Sequence, residues 1–247
     1  MEPIIATHDL LAGIRALSFD LDDTFWDCAP AILQAEQALL GWFEQHAPRI
    51  VESSDRASRA AVRDAIVAAH PELACDVTAL RRRIITALLA TSGYDESLVE
   101  PAFTVFLQAR SQVILYEGVV DLLSRLPRYY RVAAITNGNA DLHQIGIADS
   151  FELILAASLE NTPKPAPDMF RKCIDKFRVE PHELLHIGDN ADTDVGGAIA
   201  VGARAVWFNQ HRAVWPSTRA PVEFEVQSIA ELSRLLLPRE NFAQAGS

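Results

Sequence analysis

One apolar run near the start of the chain, Ile14-Arg15-Ala16-Leu17-Ser18-Phe19, constrains the fold more than any other stretch. It has the length and apolar content of a short buried strand. The next convincing strand, Val132-Ala133-Ala134-Ile135-Thr136, comes more than a hundred residues later. A lone strand leaves its backbone donors and acceptors unpaired, so the early strand has to join the later ones. Everything between them reads as helical. Residues 31–43 carry apolar positions at helical spacing, and 57–69 form a second amphipathic stretch stopped ahead of Pro71. Asp76-Val77-Thr78 has the character of an N-cap for a helix over 79–90 ending near Gly93, and a further helix covers 98–109. From Gly118 onward, helices at 119–126, 142–147, 168–177 and 194–201 alternate with strands at 132–136, 153–156, 184–188 and 205–208. That alternation implies parallel βαβ units. The chain is therefore expected to be α/β, a Rossmann-like parallel sheet built from 1–25 and 116–247, with a helical cap of 26–115 inserted into it. The last residues, 238–247, are expected to fray.

Composition narrows the partners. A formal net charge of -11 argues against a general nucleic-acid surface, because no excess of positive charge is available to neutralise phosphates. The three cysteines, Cys28, Cys75 and Cys173, are scattered and odd in number, which favours reduced thiols in a cytoplasmic setting over a disulfide framework or a zinc site. The opening residues lack a basic stretch followed by a long apolar one, so no signal peptide is expected, and no apolar run is long enough to span a membrane.

Four segments at the ends of the core strands carry chemistry. The first is Asp20-Leu21-Asp22-Asp23-Thr24. In an extended chain residues i and i+2 point to the same side, so Asp20 and Asp22 converge on one place. Such a pair can hold a hard cation, supply a nucleophile or pass a proton; the plainer alternative is an acidic turn capping a helix. The second is Thr136-Asn137-Gly138-Asn139, whose hydroxyl, amide and backbone N–H groups suit phosphate oxygens, or which is a simple Asn-Gly turn. The third is Thr162-Pro163-Lys164-Pro165-Ala166-Pro167-Asp168, where Lys164 sits in a restrained loop and can neutralise a transferring phosphoryl group, or is merely solvated. The fourth is Gly188-Asp189-Asn190-Ala191-Asp192-Thr193-Asp194, a group of oxygen ligands suited to magnesium, or acids that complement a helix N-terminus. Ligands of open α/β sheets gather beyond the carboxyl ends of the strands, where all four segments fall.

Taken together, DLDDT at 20–24, TNG at 136–138, Lys164 in KPAPDMF and GDNADTD at 188–194 give the chain a clear resemblance to the haloacid dehalogenase superfamily, with a helical insert similar to its C1-type cap. The resemblance implies that Asp20 is a nucleophile forming an aspartyl-phosphate, and that Asp22 protonates the leaving oxygen and then activates water. It implies Mg2+ bound by the Asp20 side chain, the Asp22 backbone carbonyl and Asp189, with Asp194 supporting the metal from behind. Thr136, the Asn137 backbone and Lys164 would hold the phosphoryl oxygens. Dehalogenases of the superfamily lack the second aspartate and the magnesium cluster, so dehalogenation is not expected. Stretches including Pro71-Glu72, Asp76-Val77-Thr78, residues 134–140 and residues 193–199 resemble bacterial flavin mononucleotide (FMN) phosphatases of this superfamily. That implies a small phosphorylated metabolite as substrate, FMN and the riboflavin precursor 5-amino-6-(5-phosphoribitylamino)uracil. Trp26, Trp42 and Arg81 to Arg83 are candidates for contact with a flat ring, although core packing and a solvated basic face explain them more simply. The alternatives are a broad phosphatase of nucleoside or sugar monophosphates and a non-catalytic protein that keeps a magnesium and phosphate site.

Overall fold

The early strand lies at the centre of the sheet. The computed structural model describes residues 10–216, 222 and 224–238; residues 1–9 and 239–247, to which the expectations of no leader and of a frayed tail apply, fall outside them. Six strands, β1 (Ala16–Phe19), β2 (Arg131–Thr136), β3 (Leu153–Ala156), β4 (Leu184–Gly188), β5 (Arg204–Phe208) and β6 (Glu225–Val226), form one sheet in the order β3-β2-β1-β4-β5-β6. Every pairing is parallel, and Phe19 of β1 lies opposite both Ala134 of β2 and Ile187 of β4. The chain order reverses at β1 and β4, which places the topological switch point between them.

The helices are α1 (Cys28–His46), α2 (Pro48–Ser53), α3 (Arg56–Ala69), α4 (Val77–Thr91) and α5 (Val99–Arg110) between β1 and β2, then α6 (Val119–Arg125), α7 (Leu142–Ile145), α8 (Asp168–Phe177), α9 (Gly197–Ala200) and α10 (Ile229–Leu236). The first five have clear local causes. Ala31, Ala35, Leu39 and Phe43 recur every four residues on α1 and all are buried. The Asp55 carboxylate accepts from Ser58 N–H at the start of α3, and Asp76 accepts from Ala79 N–H at the start of α4, as its sequence suggests. These helices share a core of their own, built around Ala35, Leu39, Phe43, Ile85, Leu89, Phe103 and Phe106. The two sheet faces are covered separately. Leu17 and Phe19 point to the side of α6 and α10, and Ala16 points to the side of α8. Trp26 packs with the sheet rather than with the helical block.

β3 is found where the sequence places it and, among the described residues, forms one edge of the sheet, with Ile154 exposed. Three features depart from the sequence reading. β6 and α10 were not anticipated, although Ser228 caps α10 and Ile229, Leu232, Leu235 and Leu236 form its buried stripe. Tertiary packing also folds 48–53 into the short helix α2, whose Ile50 is buried. The helix expected over 194–201 begins earlier, as a wider π-turn over Ala191–Gly196 that leads into α9. Asn190 Oδ1 caps that turn by accepting from Asp192 N–H and Thr193 N–H. Among the described residues, no helix is long and apolar enough to cross a membrane.

Candidate active site

The strand order brings the four loaded segments to one edge of the sheet. Asp20 directly follows β1, and its N–H donates to Ile187 O of β4 at 2.9 Å, so the sheet ladder itself fixes the backbone that carries its carboxylate. The Thr136 turn ends β2, the Lys164 loop follows β3 and Asp189 follows β4. They enclose a cavity of about 250 Å³, and all seven singled-out residues, Asp20, Asp22, Thr136, Asn137, Lys164, Asp189 and Asp194, line it. Asp23, Gly138, Asn190 and Thr193 complete the lining, and Asp192 is not part of it.

One ammonium faces three carboxylates. Lys164 Nζ is 2.7 Å from Asp20 Oδ1 and 2.6 Å from Asp194 Oδ1, with Lys164, Asp20 and Asp194 all buried. Asn137 holds the lysine loop with its amide: Oδ1 accepts from Lys164 N–H at 2.8 Å and Nδ2 donates to Lys164 O at 2.9 Å. Carboxylate oxygens of Asp20, Asp189 and Asp194 lie within 4.8 Å of one another. Behind them, Ser18 Oγ meets His186 Nδ1 at 2.8 Å and His186 Nε2 faces Asp194 Oδ1 at 3.4 Å. Burial holds the fully enclosed His186 below its ordinary value.

The charges settle unequally. Burial raises Asp20 well above the ordinary carboxylate range; Lys164 opposes this and Asp194 reinforces it. Burial would also raise Asp194, but Lys164 and His186 outweigh it and hold that carboxyl well below the usual range. Lys164 stays charged: burial opposes its ammonium, but Asp194 and Asp20 together raise it above the ordinary lysine value. Asp189 is pushed up to about 7, by burial first and then by Asp194 and Asp23. With all three acids ionised, a single lysine would leave two negative charges uncompensated. Oxygen donors, close spacing and a deficit of positive charge are what a hard divalent cation requires. Asp20, Asp189 and Asp194 therefore fit a metal site.

Asp22 is held differently. Arg110 Nη2 lies 2.5 Å from Asp22 Oδ1 and 2.6 Å from Oδ2, and Trp26 Nε1 donates to Oδ1 at 2.8 Å. Arg110 closes α5 and is 1 % exposed. It was not among the residues singled out from the sequence. The signal lay in its place on the buried stripe of α5, four residues after Phe106, where a charge needs a partner. Gly138 leaves room for this pair: a Cβ there would come within 2.2 Å of Asp22 Oδ2. Gly188 does the same for Asp194, whose Cγ would be 2.4 Å away.

The ring-contact candidates resolve into packing. Trp26 is fully buried, and Trp42 stacks on His46 at 4.5 Å. Arg81 pairs with Glu36 and lies over Phe106, while Arg82 pairs with Glu100 and lies over Phe103. Arg83 is exposed. Cys28, half-buried near Asp22, has its thiol pushed up to about 12, first by burial and then by Asp22, so it is an unreactive packing group.

A family model described as haloacid dehalogenase-like hydrolase matches residues 14–202. The 5-amino-6-(5-phospho-D-ribitylamino)uracil phosphatase YigB of Escherichia coli is 33% identical over 92% of this chain and 98% of its own. The N-acylneuraminate-9-phosphatase of Rattus norvegicus is 27% identical over 92% of this chain and 95% of its own. A crystal structure of a 2-haloacid dehalogenase from Pseudomonas syringae pv. tomato superposes with a TM-score of 0.84 at 33% identity, covering 90% of this chain and 98% of that one.

The seat of Asp22 against Gly138 has a measurable consequence. Gly138→Ala should lower stability by about 1–3 kcal/mol, because the added methyl displaces the carboxylate from Arg110. Urea unfolding of the two proteins measures this, and equal midpoints would mean that Asp22 is not seated against this glycine.

Proposed function

The chain belongs to the haloacid dehalogenase-like hydrolase family, and on that premise we propose that it is a Mg2+-dependent phosphomonoester hydrolase working through an aspartyl-phosphate on Asp20. The observation that carries this reading is the division of labour between two carboxylates two residues apart. Asp20 faces Lys164 and the acidic cluster, and Asp22 faces Arg110. A nucleophile needs the first setting, where positive charge offsets repulsion between two anions. A proton carrier has to keep its carboxyl clear of the metal cluster yet within the same cavity, as Asp22 does. In this reading Asp20 and Asp189 hold the magnesium together with the Asp22 backbone carbonyl, and Asp194 supports it from behind while fixing Lys164. Magnesium when bound supplies the positive charge that one lysine lacks. Thr136, the Asn137 backbone and Lys164 hold the phosphoryl oxygens.

For the substrate we propose a primary phosphate on a ribityl chain, the riboflavin precursor 5-amino-6-(5-phosphoribitylamino)uracil, and also FMN. The support for the precursor is the name carried by the Escherichia coli relative, together with its near-complete coverage of both chains; FMN rests on the sequence resemblance alone. A cavity of about 250 Å³ is smaller than the roughly 300–1,000 Å³ typical of pockets that enclose a whole ligand. It suits the phosphoryl group and its nearest carbons, so the ring is assigned to the helical block of 26–115, which we propose sets substrate choice. The second reading is a broad phosphatase of nucleoside or sugar monophosphates; the rat relative's name, N-acylneuraminate-9-phosphatase, supports its sugar-phosphate side. The name of the Pseudomonas syringae structure raises dehalogenation, against which Asp22 and the acidic cluster weigh; assaying halide release from a 2-haloacid decides it. We place the enzyme in the cytoplasm, on the strength of three free cysteines among the described residues.

Three outcomes follow. Asp20→Asn should lower phosphatase turnover by at least about 1,000-fold while circular dichroism stays unchanged, and a folded variant with wild-type turnover would exclude Asp20 as nucleophile. Metal binding should depend on pH with a defined sign. Asp189 in the folded, metal-free protein keeps its proton up to about 7, whereas in the unfolded chain it ionises near the ordinary value of about 4. Its burial therefore destabilises the fold increasingly between those values, and fully above the upper one. Magnesium relieves that cost and must displace a proton below it. The rise in Tm on adding Mg2+ should thus be larger at about pH 8 than at about pH 6, and Asp189→Asn should reduce the difference, Asp20 accounting for what remains; an equal rise at both values would contradict the assignment. Finally, substitutions in α4 or α5 should change the ratio of kcat/KM between FMN and a sugar phosphate by about 10-fold or more. An invariant ratio across cap variants, with core variants altering it, would reverse the division of labour.

A further inference from the structure

The proton carrier of the core is held by a residue from the inserted helical block. Arg110 is the last residue of α5 and lies on its buried face in line with Phe103 and Phe106. The backbone around it is tied to the core: Asp141 N–H donates to Ser111 Oγ at 2.9 Å, and Gln144 Nε2 donates to Gln108 O at 2.7 Å. The guanidinium therefore reaches Asp22, which lines the cavity, from a fixed point. It spends one nitrogen, Nη2, on both oxygens of Asp22, while Nε and Nη1 are buried with no partner among the described residues. Burying a guanidinium with two donor groups unmet is costly, and an apolar side chain of similar size would pack there at lower cost. Its placement is explained by what Nη2 holds. On the other side of Asp22, the missing side chain of Gly138 makes the seat, and Trp26 Nε1 fixes Oδ1. Asp22 thus has one orientation, set jointly by the sheet and by the end of α5.

We propose that Arg110 is a positioning residue for proton transfer: it aims the Asp22 carboxyl at the leaving oxygen. The proposal rests on the phosphatase reading. In the step concerned, the bond from Asp20 Oδ to phosphorus forms and the bond from phosphorus to the leaving oxygen breaks. The electron pair stays on that oxygen, which takes the proton from Asp22. A misaimed Asp22 penalises leaving groups that need this proton and spares those that do not.

The test compares kcat/KM for a simple alkyl phosphate and for 4-nitrophenyl phosphate, whose phenolate departs without a proton. Arg110→Met should lose about 100-fold on the alkyl ester and about 3-fold or less on the nitrophenyl ester. A partly unfolded sample lowers both rates by one factor, so the ratio is immune to loss of folded protein. Arg110→Lys keeps a positive charge and a single donor nitrogen, as Nη2 is for Asp22, and should recover at least about 5-fold of the ratio lost in Arg110→Met. Equal losses on both esters, or no loss on either, would overturn the role of Arg110. Failure of the wild-type protein, supplied with Mg2+, to hydrolyse either ester would instead remove the phosphatase reading and this role with it, a result distinct from an unchanged ratio in active variants.

Discussion

The contest between one buried lysine and three carboxylates governs the site. Lys164 touches Asp20 and Asp194 while Asp189 stands close by, and no arrangement of protons satisfies all three acids with a single ammonium. The protein resolves this by letting Asp194 keep its charge while Asp20 and Asp189 are pushed upward. The neighbouring architecture serves that balance. Asn137 clamps the lysine backbone, Gly188 makes room for Asp194, and the sheet bond from Asp20 N–H to Ile187 O fixes where the Asp20 carboxylate emerges. A site built this way is short of positive charge at rest, a property that suits it to a divalent cation and an anionic substrate.

The second constraint is mechanical. A parallel sheet fixes the ends of β1, β2 and β4 relative to one another, so residues attached there hold their spacing without help from loops. Asp22, three residues beyond β1, is held by Arg110 and Trp26. The helical block therefore touches the site through Arg110, which reaches Asp22 from its junction with the core. Thr78 at the start of α4, accepting from Asn139 Nδ2 at 3.2 Å, is a further contact across that junction.

Much of this was legible in the sequence because it is local. The strands announce themselves as short apolar runs, and each loaded segment is contiguous, so Asp20, Asp22, Thr136, Asn137, Lys164, Asp189 and Asp194 could be named and are found lining one cavity. The joining of β1 to a sheet begun again at residue 131 followed from the needs of an unpaired strand. What stayed hidden depends on tertiary partners. Arg110 is 88 residues from Asp22, and no local pattern links them. Chain spacing alone also does not reveal that Asn137 spends its amide on Lys164. The two-residue β6 is too short to leave a periodic signal, and the π-turn at Ala191–Gly196 is set by the cap at Asn190 and the need to bring Asp194 beneath Gly188.

The central claim is that Asp20 bonds covalently to phosphorus, and trapping that bond tests it most directly. Enzyme turning over a phosphate monoester with Mg2+ would be quenched rapidly and treated with borohydride, which reduces an acyl phosphate but not a free carboxylate. Peptide mass mapping would then locate the product. The account requires Asp20, alone among the aspartates, to be converted to homoserine, and only when substrate is present. Turnover with no reduction at Asp20, or reduction at Asp22 or Asp189 instead, would contradict it.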